Sequence, residues 1–153
     1  MSPTVVRHSK QVIEEHKRLR ECLSRIQSMV VKPPEVSRRA GWLKDLAAEL
    51  TDLQPRLKAH FEAEEKSGFF DDITESWPGT SDVCRRMMSE HESLLKAVSD
   101  VCGTAAGPAT IDENAFRSLL ERAGSLVREV SRHEERENDL MFRTLEGGPA
   151  AQD

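Results

Sequence analysis

The chain has 153 residues, enough for one domain around one real core and too few for two of ordinary size. Its 32% charged residues, its five Phe, two Trp and absence of Tyr, and its abundance of helix formers favour an all-α protein. A net charge of −5 offers no basic face for nucleic acid or an anionic membrane, and no apolar run approaches the roughly 20 residues of a membrane span.

The opening M-S-P-T-V-V-R-H lacks the apolar stretch of a signal peptide, which places the protein in the cytoplasm as an expectation. Cys22, Cys84 and Cys102 are an odd set without C-x-x-C spacing. They argue against a disulfide framework and a thiolate-held metal, and read as small apolar fillers.

Ser2 or Thr4 can cap a first helix, with Pro3 in its first turn. The helix is expected to run to about Val31, with an inward row of Val5, Ser9, Val12, His16, Leu19, Leu23, Ile26 and Val30. Steps of three and four are the seam of a helix packed nearly parallel to its neighbours, and His16 falls inside that seam. His8, two turns earlier, reads as a surface residue. Pro33-Pro34 ends the helix, because proline cannot continue the hydrogen-bond ladder.

A second helix is expected from around Ser37, with Leu43, Leu46, Leu50, Leu53, Leu57, His60 and Glu64 in one row. Pro55 lies inside it and predicts a kink, or else a break into two helices. Ser67-Gly68 interrupts the pattern, and the connection from Phe69 to Thr80 has room for a turn or two of helix, with Phe69, Phe70 and Trp77 closing one end of the fold.

Ser81 is a plausible cap for a third helix whose row is Cys84, Met87, His91, Leu94, Val98 and Val101. Gly103 to Ala109 reads as a loop by composition. Thr110 with Glu113 predicts a capping box for the fourth helix. The row there is Phe116, Leu119, Ala123, Leu126, Val130, His133, Glu137 and Leu140, with Gly147-Gly148-Pro149 as the stop and a frayed tail from Ala150. The whole chain, 1–153, is expected to be one domain with its core over about 5–145.

Residues four apart on a helix share a face, so His60 with Glu64 and His133 with Glu137 each form a chelating pair. A lone core histidine is usually just hydrogen-bonded, but an unpaired carboxylate is almost never fully buried, because removing its charge from water costs several kcal/mol. Two glutamates in the seam therefore call for a cation. His16 and His60 are 44 positions apart, His91 and His133 are 42 apart, and a glutamate follows four residues after each second histidine. The chain reads as two similar helical hairpins, each bringing two imidazoles and one carboxylate to the axis, so that each could hold one metal while the carboxylates bridge to the other.

Mixed nitrogen and oxygen ligation by six groups suits octahedral iron or manganese better than tetrahedral zinc, with iron preferred. Phe61, Met87, Met88 and Met141 are candidate walls of a small pocket beside the metals. Glu14, Glu15, Glu62, Glu65, Glu90, Glu92, Glu134 and Glu135 read as a solvated surface or, in part, as acceptors for the ring N–H groups. No E-x-x-H pair occurs, which argues against a ferritin-like carboxylate bundle.

The pattern of E-E-H-K-R-L, H-F-x-x-E, S-E-H-E-S-L-L and H-E-x-x-E resembles the hemerythrin-like family, the HHE cation-binding domain, over about Val5 to Leu145. The resemblance implies an up-down-up-down four-helix bundle and a bridged di-iron centre with two Fe ions joined by oxo or hydroxo. It implies ligand roles for His16, His60, Glu64, His91, His133 and Glu137. Oxygen-carrying members have a fifth histidine where this chain has Met87, and a carboxylate where it has Asn138. The chain is therefore closer to the bacterial four-His, two-Glu members, which include proteins linked to iron-centre repair and sensor domains.

Plain reversible O2 carriage is less expected than binding or reaction with O2, NO or peroxide in a stress, sensing or repair role. The expected partners are such a small ligand and a redox partner protein, with neither nucleic acid nor membrane. An iron-responsive or iron-holding interaction module without turnover is the alternative, and a plain bundle with hydrogen-bonded core histidines is the third reading. Nothing in the chain names a general base or nucleophile, so whether there is turnover stays open.

Overall fold

The computed structural model describes residues 3–108 and 110–145, with side chains over 10–108 and 110–143. It is helical throughout: α1 Pro3–Val31, α2 Arg39–Ser67, α3 Phe69–Ser76, α4 Ser81–Ala105 and α5 Glu113–Leu145, with single 3-10 turns at Val36–Arg38 and Pro78–Thr80. Each of the four long helices packs against two others, α1 on α2 and α5, and α4 on α2 and α5. The expected all-α bundle is what forms, with α3 laid across one end.

The rows read from the sequence are the buried faces. Val12, Leu19, Leu23 and Ile26 of α1, all five leucines of the α2 row, and the apolar rows of α4 and α5 from Cys84 and Phe116 onward are buried. Packing of these stripes, more than helix propensity, holds such long amphipathic helices in place. Val5, Ser9, His8 and the proposed Thr4 cap lie outside the described side chains. Ser2, the Gly147-Gly148-Pro149 stop and the tail lie outside the described residues.

Apolar burial falls into two clusters. The larger runs from Leu19 to Ile26, Leu43 to Phe61, Leu94 to Ala105 and Phe116 to Val130. The smaller holds Val12, Phe69, Phe70, Ile73, Cys84, Met87, Leu140 and Met141. On α1, α4 and α5 the histidine falls between a residue of one cluster and a residue of the other, and past the end of α2 the smaller cluster resumes at Phe69 of α3, so a polar layer divides the core. Val12 precedes His16, whereas Phe69 follows His60, which gives the alternating directions of neighbouring helices.

Local details meet expectation in part. Of the two readings of Pro55 the break is ruled out, for α2 is one helix with Leu53 and Leu57 buried on either side of it. The helical segment in the long connection is α3, two turns that bury Phe69, Phe70 and Ile73, while Trp77 is half-buried. Gly68 supplies the turn into it with φ 76°, a left-handed conformation that favours glycine, and the Phe69 N–H donates to Ser67 Oγ at 3.2 Å.

Ser81 is not the cap of α4. Thr80 takes that position without a side-chain cap, its hydroxyl donating instead to Trp77 O at 2.7 Å. Gly103 to Ala105 belong to α4, because Ala105 is buried against the core and the helix continues to it. The capping box at Thr110 is also replaced. Asp112 Oδ1 accepts the Ala115 N–H at 2.8 Å and caps α5, while Glu113 pairs with Arg39 at 3.1 Å. Asp112→Ala is therefore expected to cost about 1 kcal/mol of stability, readable by chemical denaturation, and Thr110→Ala close to nothing.

Candidate metal centre

The polar layer brings all six singled-out residues together. His16, His60, Glu64, His91, His133 and Glu137 are each at most 2% exposed. His16 Nε2 lies 3.0 Å from His60 Nε2 and 2.9 Å from Glu137 Oε1, and His60 Nε2 lies 3.2 Å from the same oxygen. A second group, Glu64, His91, His133 and Glu137, has donor atoms within 4.8 Å of one another. Here Glu137 Oε2 is 3.5 Å from His133 Nε2, and Glu64 Oε1 is 3.9 Å from His91 Nε2.

The imidazoles pair by hairpin, and the carboxylates reach across to the other hairpin, as expected. Glu137, from the second hairpin, completes the group of the first and also serves the second. Glu64 stands 2.9 Å from His60 Nε2 and groups with His91 and His133. The i,i+4 spacing fixes only that each glutamate stands beside its own histidine. The stagger between helices decides which other rings it reaches.

The outer faces of the rings explain their orientation. His16 Nδ1 bonds Asn138 Oδ1 at 2.8 Å, His60 Nδ1 bonds Glu15, His91 Nδ1 bonds Glu65 Oε1 at 3.0 Å, and His133 Nδ1 lies 3.5 Å from Glu90 Oε1. These oxygens only accept, so Nδ1 of His16, His60 and His91 carries a hydrogen toward them and Nε2 of each ring faces inward. Four imidazole nitrogens and two carboxylates thus converge, with a proton on His60 the chief donor among them. Both Glu64 oxygens, Glu137 Oε2, His91 Nε2 and His133 Nε2 make no hydrogen bond. Leaving such groups dry and unpaired costs several kcal/mol each, and a cation shared among them removes that cost. The donor set fits one or more octahedral cations.

Glu15 and Glu65 thus take the ring-acceptor role, while Glu90 stands 3.5 Å from His133 without bonding it. Asn138 takes it too, though the sequence offered no signal for it beyond adjacency to Glu137. Glu134 departs from the expected surface position: it is 4% exposed, with Oε1 unpartnered. Its place four after Val130 and seven after Val127 was the available sign that the buried face of α5 is wider than the seam.

Phe61, Met87 and Met141 are buried at the centre, whereas Met88 is 37% exposed and walls nothing. Phe61 stacks flat on His91, centroids 3.9 Å apart and planes 5° from parallel, and meets the edge of His133 at 5.3 Å. A groove of about 300 Å³ between α1 and α2, walled by Glu15, Arg18, Arg56 and His60, reaches the outer side of the His60 ring.

Charge in the metal-free centre follows the geometry. Burial pushes the Glu64 carboxyl well up, and the Glu137 charge pushes it further. Burial would raise Glu137 as well, but His133, His16 and His60 overcome it and hold that carboxyl well below the usual range. Burial would lower His60, yet Glu137, Glu15 and Glu64 push it up to about 12, while burial lowers His91. Protonation of His60 therefore stabilises the metal-free fold fully below 6.5, its ordinary value, and the effect is lost as pH rises toward 12.

A cation on Nε2 must displace that proton. Titrating the chelated protein with a divalent metal near neutral pH should release protons, read with an indicator dye in weak buffer. Apparent affinity should rise about tenfold per pH unit for each proton released. Affinity independent of pH would exclude His60 as a ligand.

In comparison with known families, the Hemerythrin HHE cation binding domain matches residues 8–122. The chain belongs to the hemerythrin HHE cation-binding family. The hemerythrin match stops within α5 before His133 and Glu137, and the structure supplies those two at the level of His16, His60, Glu64 and His91. Neither the curated proteins nor the solved structures gave a match. As a hemerythrin domain the protein is a metal-binding helical bundle with a buried His/Glu cluster able to hold metal. Cys22, Cys84 and Cys102 are free thiols. No helix among the described residues is long and apolar enough to cross a membrane.

Proposed function

We propose that this is a non-haem di-iron protein that binds or reacts with a small oxidant, O2, NO or peroxide, in a stress-response, sensing or iron-centre-repair role. The observation that carries this reading is the shared carboxylate. Glu137 directs one oxygen at His16 and His60 and the other at His133, an arrangement suited to two neighbouring cations and wasted on one. When bound, two iron ions would supply redox chemistry and coordination positions left free by the protein.

The chain's own contribution is to hold and shield. Asn138, Glu15 and Glu65 orient three of the four rings, and Glu90 lies beside the fourth. Phe61, Met87 and Met141 keep bulk water from the layer, and a centre so enclosed admits only small molecules. Met87, standing one turn before His91, adds an apolar side where a further imidazole would have closed a coordination position, which favours an open site.

The test is metal analysis after expression with ample iron, followed by anaerobic NO titration of the reduced protein. About two iron atoms per chain and an absorption change saturating with NO are expected. Zinc as the only metal, or iron that ignores both NO and peroxide, would refute the reading.

A further inference from the structure

The two groups of donors are not equivalent. An octahedral cation with bonds of about 2.1 Å holds adjacent donors about 3.0 Å apart, the edge of the octahedron. His16 Nε2, His60 Nε2 and Glu137 Oε1 are separated by 2.9, 3.0 and 3.2 Å, so they already form one face of such a figure. The opposite group is wider, with 3.5 Å from Glu137 Oε2 to His133 Nε2 and 3.9 Å from Glu64 Oε1 to His91 Nε2. A cation entering there must draw its donors inward before it is fully held.

The outer partners repeat this asymmetry. His16 and His60 are both fixed by close bonds, to Asn138 at 2.8 Å and to Glu15, whereas in the other group only His91 is, to Glu65 at 3.0 Å. His133 is 3.5 Å from Glu90, makes no hydrogen bond through Nδ1, and competes for Glu90 with the guanidinium of Arg136. Such ring partners are worth about 10- to 100-fold in metal affinity.

We propose that the centre fills in order: His16, His60 and Glu137 take the first divalent cation, and the position built from His91, His133 and Glu64 fills only afterwards, so that the chain has a stable one-metal form. Two imidazoles and one carboxylate on a single face suffice to hold one such ion and leave its far side open. Glu137 links the steps, because an ion that fixes Oε1 also fixes the direction in which Oε2 faces His133. The inference rests on the metal-binding reading of this site and adds to it an order and a one-metal species.

Anaerobic titration of the chelated full-length protein with Co(II), followed by electron paramagnetic resonance and visible absorption, tests it. The first equivalent should give a magnetically isolated signal that grows in proportion to added metal. The second should bind at least about tenfold more weakly and reduce the signal per ion, as neighbouring ions couple through the shared carboxylate. His133→Ala should keep the first step and lose the second, whereas His16→Ala should lose the first.

A signal per ion that is already coupled and constant from the first additions would mean pairwise filling and overturn the order. Equal weakening of the first step by His133→Ala and His16→Ala, with helix content preserved, would also overturn it. Two ions bound in two equivalent, uncoupled steps would sink this inference and leave the metal-binding reading intact. No cobalt bound at all would remove both.

Discussion

Glu137→Gln should empty the centre. The side chain is fully buried and is the one group common to both sets of donors. Glutamine keeps its shape but offers a single weak oxygen, with an NH2 group in place of the other. Removing a ring acceptor alone typically costs 10- to 100-fold in affinity, and loss of a shared ligand should exceed about 100-fold. Metal content, measured on purified protein, should fall from about two ions per chain to below one.

The metal-free comparison makes this decisive. Breaking a buried ion pair usually destabilises by about 3–5 kcal/mol because a charge is left without a partner. Here His60 retains Glu15 and Glu64, and without the neighbouring Glu137 charge Glu64 ionises more readily. In chelator the variant should therefore lose less than that range, because His60 keeps two of its three carboxylate partners. A variant that keeps full metal content would mean that Glu137 is an ordinary core residue.

Chelation of the parent is the second large effect. Ligands that bind only the folded chain stabilise it by about 4 kcal/mol when free metal is a thousandfold above Kd. For a chain of this size that corresponds to a loss of about 8–16 °C in Tm on metal removal, readable by calorimetry or circular dichroism. Hydrogen exchange should quicken most next to the polar layer, around His16, His60, His91 and His133, where donors without a cation repel one another. The large apolar cluster from Leu43 to Leu57 does not depend on the cation and should keep its protection. A Tm unchanged by chelation, in protein shown to have contained metal, would make the cation a passenger in the fold.

The histidines and glutamates that matter were legible because they continue apolar rows in phase. A helix has one buried stripe, and a polar residue in that stripe is buried whatever the neighbouring helices do. His16 after Val12, Glu64 after Leu57 and His60, and Glu137 before Leu140 are all of this kind. Caps were less legible. Thr110 and Asp112 both satisfy the chemistry of a cap, and the choice fell to Asp112 where the Arg39–Glu113 pair and the burial of Phe116 fix the start of α5.

By itself, then, the sequence determined an all-helical chain with four imidazoles and two carboxylates on inward faces, since three-and-four periodicity and i,i+4 proximity are properties of one helix alone. Only the tertiary structure decided that Glu137 completes the His16–His60 group, that Glu15, Glu65 and Asn138 hold rings, that Glu134 is buried and that Met88 is not. Those outcomes depend on how far each helix is rotated and slid against its neighbours. Side chains tens of residues apart set that rotation by packing, and no periodicity within a single helix encodes it.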